Sequence, residues 1–281
     1  MEWLTPDPET PVRQGDILIS RDHRTGLVES MFLVITADCD ISKEKFGTQI
    51  AALRIISHNQ YLLDIWGEKK LNKAIKDEQS KLHAQISKWH SKLIAQDSTL
   101  TEDAALKWLI REGVARIVDD LQVPDKDRKK VRKSLNNSYS AFKLLETQDL
   151  SDLEKYVLFK ALSEDKSTEE VHKNTVGSAQ KEVLPDDTFF LPELPDNLGQ
   201  GAVVMLREII GISPNNIYLK ATEATSPQNF LRIARLKPEI KYAVSQAFGS
   251  LYSRIGMSSE YEARRNAAIQ GLTGKEWRIS C

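Results

Sequence analysis

The tripeptide Asp38-Cys39-Asp40 sets a thiol between two carboxylates. A nucleophilic cysteine needs a cation or a helix N-terminus nearby to depress its pKa, and adjacent carboxylates act in the opposite direction. Cys39 is therefore expected as a small buried residue. Asp38 and Asp40 have the chemistry for a metal or an acid–base pair. Their place after an apolar run fits an Asx turn at a strand end instead.

The histidines His23, His58, His83, His90 and His172 are scattered. His83 and His90 stand seven apart and share a helix face, but no carboxylate joins them at metal-ligand spacing. They read as solvated helix histidines. Gly199-Gln200-Gly201 lacks the further glycine and the Lys-Ser/Thr of a phosphate loop, and reads as a hairpin turn. No sequence motif calls for a cofactor or a metal.

The strongest charge feature is Asp125 to Lys133. Lys126, Arg128, Lys129, Lys130, Arg132 and Lys133 face only Asp125 and Asp127, a net +4 over nine residues. With Asn136, Asn137 and Tyr139 after it, this run has the residue types that track a phosphate backbone. A solvated helix face is the expected reading, because the whole chain carries a net charge of −1.

That balance gives no global attraction to nucleic acid or membrane. No apolar run reaches the roughly 20 residues of a membrane span. The opening Met-Glu-Trp-Leu-Thr-Pro-Asp-Pro lacks the basic and apolar regions of a signal peptide. Two cysteines, Cys39 and Cys281, are too few for a disulfide framework. The expectation is a soluble cytoplasmic protein with reduced thiols.

The elements that would position these groups fall into three blocks. Asp16–Arg21, Val28–Ala37 and Ile50–Ile56 are short apolar runs rich in β-branched residues, bounded by Gly and Asp, and read as strands. Tyr61 to Trp66 reads as a fourth strand, closing at Gly67. From Glu68 the composition turns to Lys, Glu, Gln and Ala. Leu82, Ile86, Trp89 and Leu93 recur at helical spacing. Thr99-Leu100-Thr101-Glu102 and Ser151-Asp152-Leu153-Glu154 have the form of capping boxes. Pro124-Asp125 opens a short helix, and Ser167 to Glu170 a last turn. Strand signals resume at Thr188–Leu191, Ala202–Leu206, Ile217–Leu219 and Phe230–Leu236. Pro238 then starts a helix with Ala243, Val244, Ala247, Phe248, Leu251 and Ile255 on its apolar face.

Strands on both sides of a helical block predict an insertion, because short strands alone leave open edges. The expected fold is α+β. A discontinuous antiparallel β-barrel domain spans 12–66 and 186–256 with a closing C-terminal helix. A helical insertion covers 68–177, and 257–281 is a tail.

The stretch Gly-Asp-Ile-Leu-Ile-Ser at 15–20, a turn at Gly26, Phe-Leu-Val-Ile-Thr at 32–36 and Ala-Leu-Arg-Ile-Ile-Ser at 52–57 resembles the opening of the PemK/MazF-like toxins. The resemblance covers about 45 residues. It implies an SH3-like barrel. Those toxins cut RNA with an Arg of an Arg-Pro pair and a Thr/Ser hydroxyl. Here Ser30-Met31 replace that pair, Ser57 can stand for the hydroxyl, and Arg54 or Arg21 could substitute only with changed geometry. Thr36-Ala37-Asp38-Cys39-Asp40 is also similar to bacterial barrel proteins of uncharacterised activity that carry a Cys-Asp pair after the second strand.

The resemblance implies a bacterial phage-defence or toxin–antitoxin setting. The expected function is a non-enzymatic accessory module acting by contact with a protein partner. The alternatives are a divergent endoribonuclease using Asp38, Cys39, Asp40, Arg54 or Ser57, and a nucleic-acid binder using the 126–133 run.

Overall fold

The computed structural model describes residues 2–22, 24–93, 100–181, 184–195, 198, 200–220, 222–224, 226, 228–253, 259–261 and 263–267. The chain divides into two compact units, one made of 1–55 with 184–281 and the other of 56–183.

The first unit is built on a curled sheet. Its strands are β1 (Trp3–Leu4), β2 (Asp16–Arg21), β3 (Val28–Val34), β4 (Ile50–Ser57), β5 (Thr188–Glu193), β6 (Gln200–Ile212), β7 (Ile217–Tyr218) and β8 (Phe230–Leu236). They lie in the order β1-β8-β2-β3-β4-β6-β5, with β7 beside β8. Strands from the two ends of the chain thus share one sheet. The pairings β1/β8, β2/β3, β2/β8, β3/β4 and β5/β6 are antiparallel, while the two residues of β7 run parallel to β8. Among the described residues no ladder joins β5 to β1, so the sheet is a half-barrel and not a closed one.

Side chains alternate between faces along a strand, and the central strands are buried on both. Ile17, Ile19, Met31, Leu33, Leu53, Val204 and Leu206 form one core with Val244 of α8 (Pro238–Ser253). Leu18, Phe32, Val34, Ile50, Ala52 and Ile212 form another on the opposite face. Burial on two faces explains why β2 reads as a continuous apolar run and not an alternating one. Helix α8 begins with Pro238 at its first position, where the missing N–H has no intrahelical partner to lose. The residues beyond Ser253 that were assigned to the tail fall largely outside the described residues.

A short helix, α1 (Asp38–Ser42), follows β3. The Asx turn expected at Asp38 and Asp40 is replaced by the first turn of this helix, where two carboxylates complement the helix dipole.

The second unit is helical. Residues 58–66 are not a strand: α2 (His58–Gln60) runs into a π-helix over Tyr61–Trp66 and on into α3 (Gly67–His90). Tyr61 and Trp66 are buried there while Asp64 is exposed. A six-residue apolar run cannot by itself separate a strand from a helical segment. The hydroxyl of Ser57 accepts from the N–H of Gln60 at 3.0 Å and caps this helical start.

Helix α4 (Glu102–Asp120) starts at Thr101, whose hydroxyl accepts from the N–H of Ala104, two residues later than the expected box begins. It breaks at Gly113, which takes φ +76°, a conformation that side chains other than glycine rarely adopt. Helix α5 (Asp125–Leu144) is 20 residues long, not short. Helix α6 (Asp152–Glu164) has the full capping box of Ser151 and Glu154. Helix α7 (Thr168–Ala179) extends to 12 residues what the sequence reads as one turn. Leu82, Ile86, Leu109, Ile117, Leu135, Phe142 and Phe159 make the shared core. Within it Ser138 donates to the buried carboxylate of Glu78 at 2.6 Å and joins α5 to α3.

Candidate functional site

Asp38 is engaged from two directions. Lys241 of α8 places Nζ 2.8 Å from Oδ2, and the backbone N–H of Gln14 donates to Oδ1 at 2.8 Å. Gln14 also donates through Nε2 to the carbonyl of Ile35 and the hydroxyl of Ser245, each at 3.1 Å. Partial burial works to raise the Asp38 pKa. The Lys241 hydrogen bond, the Gln14 N–H and the charges of Lys241 and Arg13 outweigh it, so the carboxyl sits below its usual value. Asp38 is thus a fixed anion that pins β3's exit to α8. Gln14, Lys241 and Ser245 escape sequence reasoning because they lie 24 and more than 200 residues away from Asp38 or from each other.

Cys39 is exposed, against the expectation of burial. It lies on α1, none of whose five residues is buried. Its Sγ lies 3.7 Å from Oδ1 of Asp40.

Arg54 and Ser57 are each engaged with other groups. Arg54 donates to Oε2 of Glu208 at 3.0 Å on the exposed face of the sheet. The hydroxyl of Ser57 is occupied as a helix cap. Arg21 donates to the carbonyl of Gly26 at 2.9 Å and braces its own turn.

His83 and His90 are half-buried, not solvated. His83 Nε2 lies 2.6 Å from the carbonyl of Leu100, and His90 meets the ring of Trp108 edge-on. His172 is exposed on α7. His23 and Gly199 fall outside the described residues. Among the described residues no group of three His, Cys, Asp or Glu side chains could hold a metal.

The basic run lies on the first half of α5. Val131, Leu135, Ser138 and Phe142 turn inward at helical spacing. Arg128, Lys129, Arg132, Lys133, Asn136 and Asn137 line one open surface on the other side. Arg128 pairs with Asp119 and lies 3.7 Å from Asp125, and Lys133 pairs with Asp165. Lys126, Lys129, Lys130 and Arg132 are exposed, and no ion pair is recorded for them among the described residues.

This surface continues into a recess of about 310 Å³ between α5, α6 and the start of α7. Asn136 and Asn137 belong to both. The recess adds apolar surface from Leu144, Leu158 and Leu162, the last 39% exposed. The exposure of Leu162 follows from how α6 packs against α5, which no local pattern reports.

No family model, no curated protein and no solved structure matches the chain.

Proposed function

We propose that the chain is a non-enzymatic binding module that acts by protein–protein contact, an accessory member of a bacterial phage-defence or toxin–antitoxin system. The observation that carries this reading is the continuity of the α5 basic surface with the apolar recess through Asn136 and Asn137. Unpaired cations beside the exposed Leu162 and the half-buried Leu144 and Leu158 suit a partner segment that is acidic on one side and apolar on the other. Electrostatics of this kind steer the encounter, and the apolar anchor holds it. The groups that an SH3-like nuclease would need are engaged elsewhere, Arg54 by Glu208 and Ser57 by its cap. On this reading the half-barrel is a PemK/MazF-like scaffold, the helical unit is an insertion into it, and the protein works in the cytoplasm.

Calorimetric titration with the products of the neighbouring genes tests the reading. The expected outcome is one partner whose affinity falls at least about tenfold both in Lys129→Glu/Arg132→Glu and in Leu162→Asp. Binding by none of them, or binding indifferent to both changes, overturns it.

A second reading is a nucleic-acid contact. It rests on Lys126, Lys129, Lys130 and Arg132, which have no recorded ion pair. Gel shifts of duplex DNA at two salt concentrations decide it. Real phosphate contacts give a salt slope that flattens by about 0.9 log units for each contact removed. An absence of binding at low salt removes this reading.

A further inference from the structure

We infer, resting on the protein-contact reading above, that the α5 surface and the recess beside it take a single helix of the partner. That helix is acidic over one end and aliphatic over the other, and it is not an extended segment.

The order of side chains along α5 sets the occupant's pattern. Arg128, Lys129, Arg132 and Lys133 come first, Asn136 and Asn137 next, then Ser140 and Leu144. Positions three and four apart are neighbours on a helix, so these residues make one stripe. Two of the four cations are committed, Arg128 to Asp119 and Lys133 to Asp165. Lys129 and Arg132 are exposed, with no ion pair recorded among the described residues, and they call for partner carboxylates. At the far end the recess of about 310 Å³ has Leu144 of α5 in its wall with Leu158, Ala161 and Leu162 of α6. The charges at this recess are already balanced, Asp165 by Lys133 and Lys166 by Glu164 at 3.0 Å. The recess therefore selects aliphatic side chains.

The stripe's length and chemistry set the occupant's form. Arg132 and Leu144 stand 12 residues apart on α5, which is about 18 Å along the axis. An extended segment crosses that distance in about 5 or 6 residues. Its backbone N–H and C=O groups then need partners wherever the contact excludes water. The stripe offers few neutral ones: Asn136, Asn137 and Ser140, for whose side chains no hydrogen bond is recorded among the described residues. A helix bonds its own backbone and meets the stripe with side chains alone. Its rise per residue equals that of α5, so its acidic and aliphatic residues lie about three turns apart. The two asparagine amides, each a donor and an acceptor, suit polar side chains on the turn between them.

Fluorescence anisotropy of labelled synthetic peptides titrated with the full chain tests this. The patterned probe is an alanine-based helix of about 20 residues with leucines at one end and glutamates at the other, on one face. A copy with the order reversed allows for either direction along α5. One control scrambles the same residues off that face. Another, of about 8 residues, keeps leucines and glutamates at its ends with prolines between to hold it extended. A patterned helix should bind with a Kd of about 100 μM or tighter, at least about tenfold tighter than both controls. Lys129→Glu/Arg132→Glu and, separately, Leu162→Asp should each weaken it at least about tenfold. Circular dichroism melts establish that the variants are folded, and Leu162→Ser is the milder change should Leu162→Asp fail to fold. No saturation by either patterned helix up to about 1 mM overturns the inference, as does a loss in only one of the two variants. An extended peptide that binds as tightly and weakens in both variants overturns the helical form while the protein-contact reading stands. Duplex DNA that binds more tightly than any peptide and is indifferent to Leu162→Asp overturns both.

Discussion

Arg235 grips Asp16 with two nitrogens: Nε donates to Oδ1, and Nη2 donates to Oδ2 at 2.9 Å. Asp16 has no solvent exposure, and Arg232 lies beside it with Nη1 3.6 Å from Oδ2. Arg232 also donates to the carbonyls of Asp7, Thr10 and Pro11 at 2.8–3.1 Å. Burial pushes the Arg232 guanidinium below its usual pKa, while the charge of Asp16 works to hold it up. One buried carboxylate thereby fixes β8 to β2, and the two arginines it holds bind the carbonyls of Asp7, Thr10 and Pro11.

Asp16→Asn keeps the shape and removes the charge, leaving two guanidinium groups against a neutral amide. Breaking a buried ion pair by removing one partner costs about 3–5 kcal/mol. Urea melts should show a loss of that size. A loss under about 1 kcal/mol would mean that the arginines reach solvent on their own, as they do at a surface pair.

The pair of Asp38 and Lys241 gives a pH dependence. The Asp38 pKa is lowered in the folded state from an ordinary 3.8. A carboxyl with a depressed folded pKa contributes its stability fully above the unfolded value and loses it as pH falls through the folded one. Asp38→Asn should therefore be less stable than wild type at pH 7, with the difference shrinking as pH drops below about 4. A difference that stays constant across that range would assign the loss to the Gln14 hydrogen bond rather than to charge.

The strands β2, β3, β4 and β8 are legible in the sequence because each is a short β-branched run between Gly, Asp or Pro, and burial on two faces keeps the run apolar. Phe230–Leu236 is read to its residue limits. Arg232 and Arg235, which interrupt that run, carry the clearest polar signal in it, but their partner Asp16 is 219 residues from Arg235. The π-helix is not legible, since Tyr61 to Trp66 has the composition of a strand and becomes helical through Ser57's cap and its continuity with α3. The exposure of Cys39 is lost for a similar reason: a five-residue helix has no room for a periodicity to show. The basic surface of α5 is visible as charge alone. The leucines that adjoin it are placed by helix packing and leave no mark in the local pattern.

Among the described glycines of the helical unit, Gly67 has the tightest surroundings. Its own φ is ordinary for a helix, so the constraint is space and not conformation. Gly67→Ala would drive a methyl group into the backbone of Leu153, and backbone cannot turn aside as a side chain can. A loss of about 1–3 kcal/mol is expected, read as a lower melting midpoint for the helical signal in circular dichroism. An unchanged midpoint would show that α6 can shift to admit the methyl.

Arg54 decides between a spent and a competent nuclease residue. Its pairing with Glu208 is exposed on both sides, at 45% and 38% side-chain accessibility, which is the setting in which an ion pair contributes little. Arg54→Ala should cost less than about 1 kcal/mol, and purified wild-type protein should leave single-stranded RNA intact. RNA cleavage that is lost in both Arg54→Ala and Ser57→Ala would reverse this. It would mean that substrate pulls Arg54 from Glu208 and frees the Ser57 hydroxyl from the N–H of Gln60. Cleavage that survives both changes would shift the candidate residues to Asp38, Cys39 and Asp40.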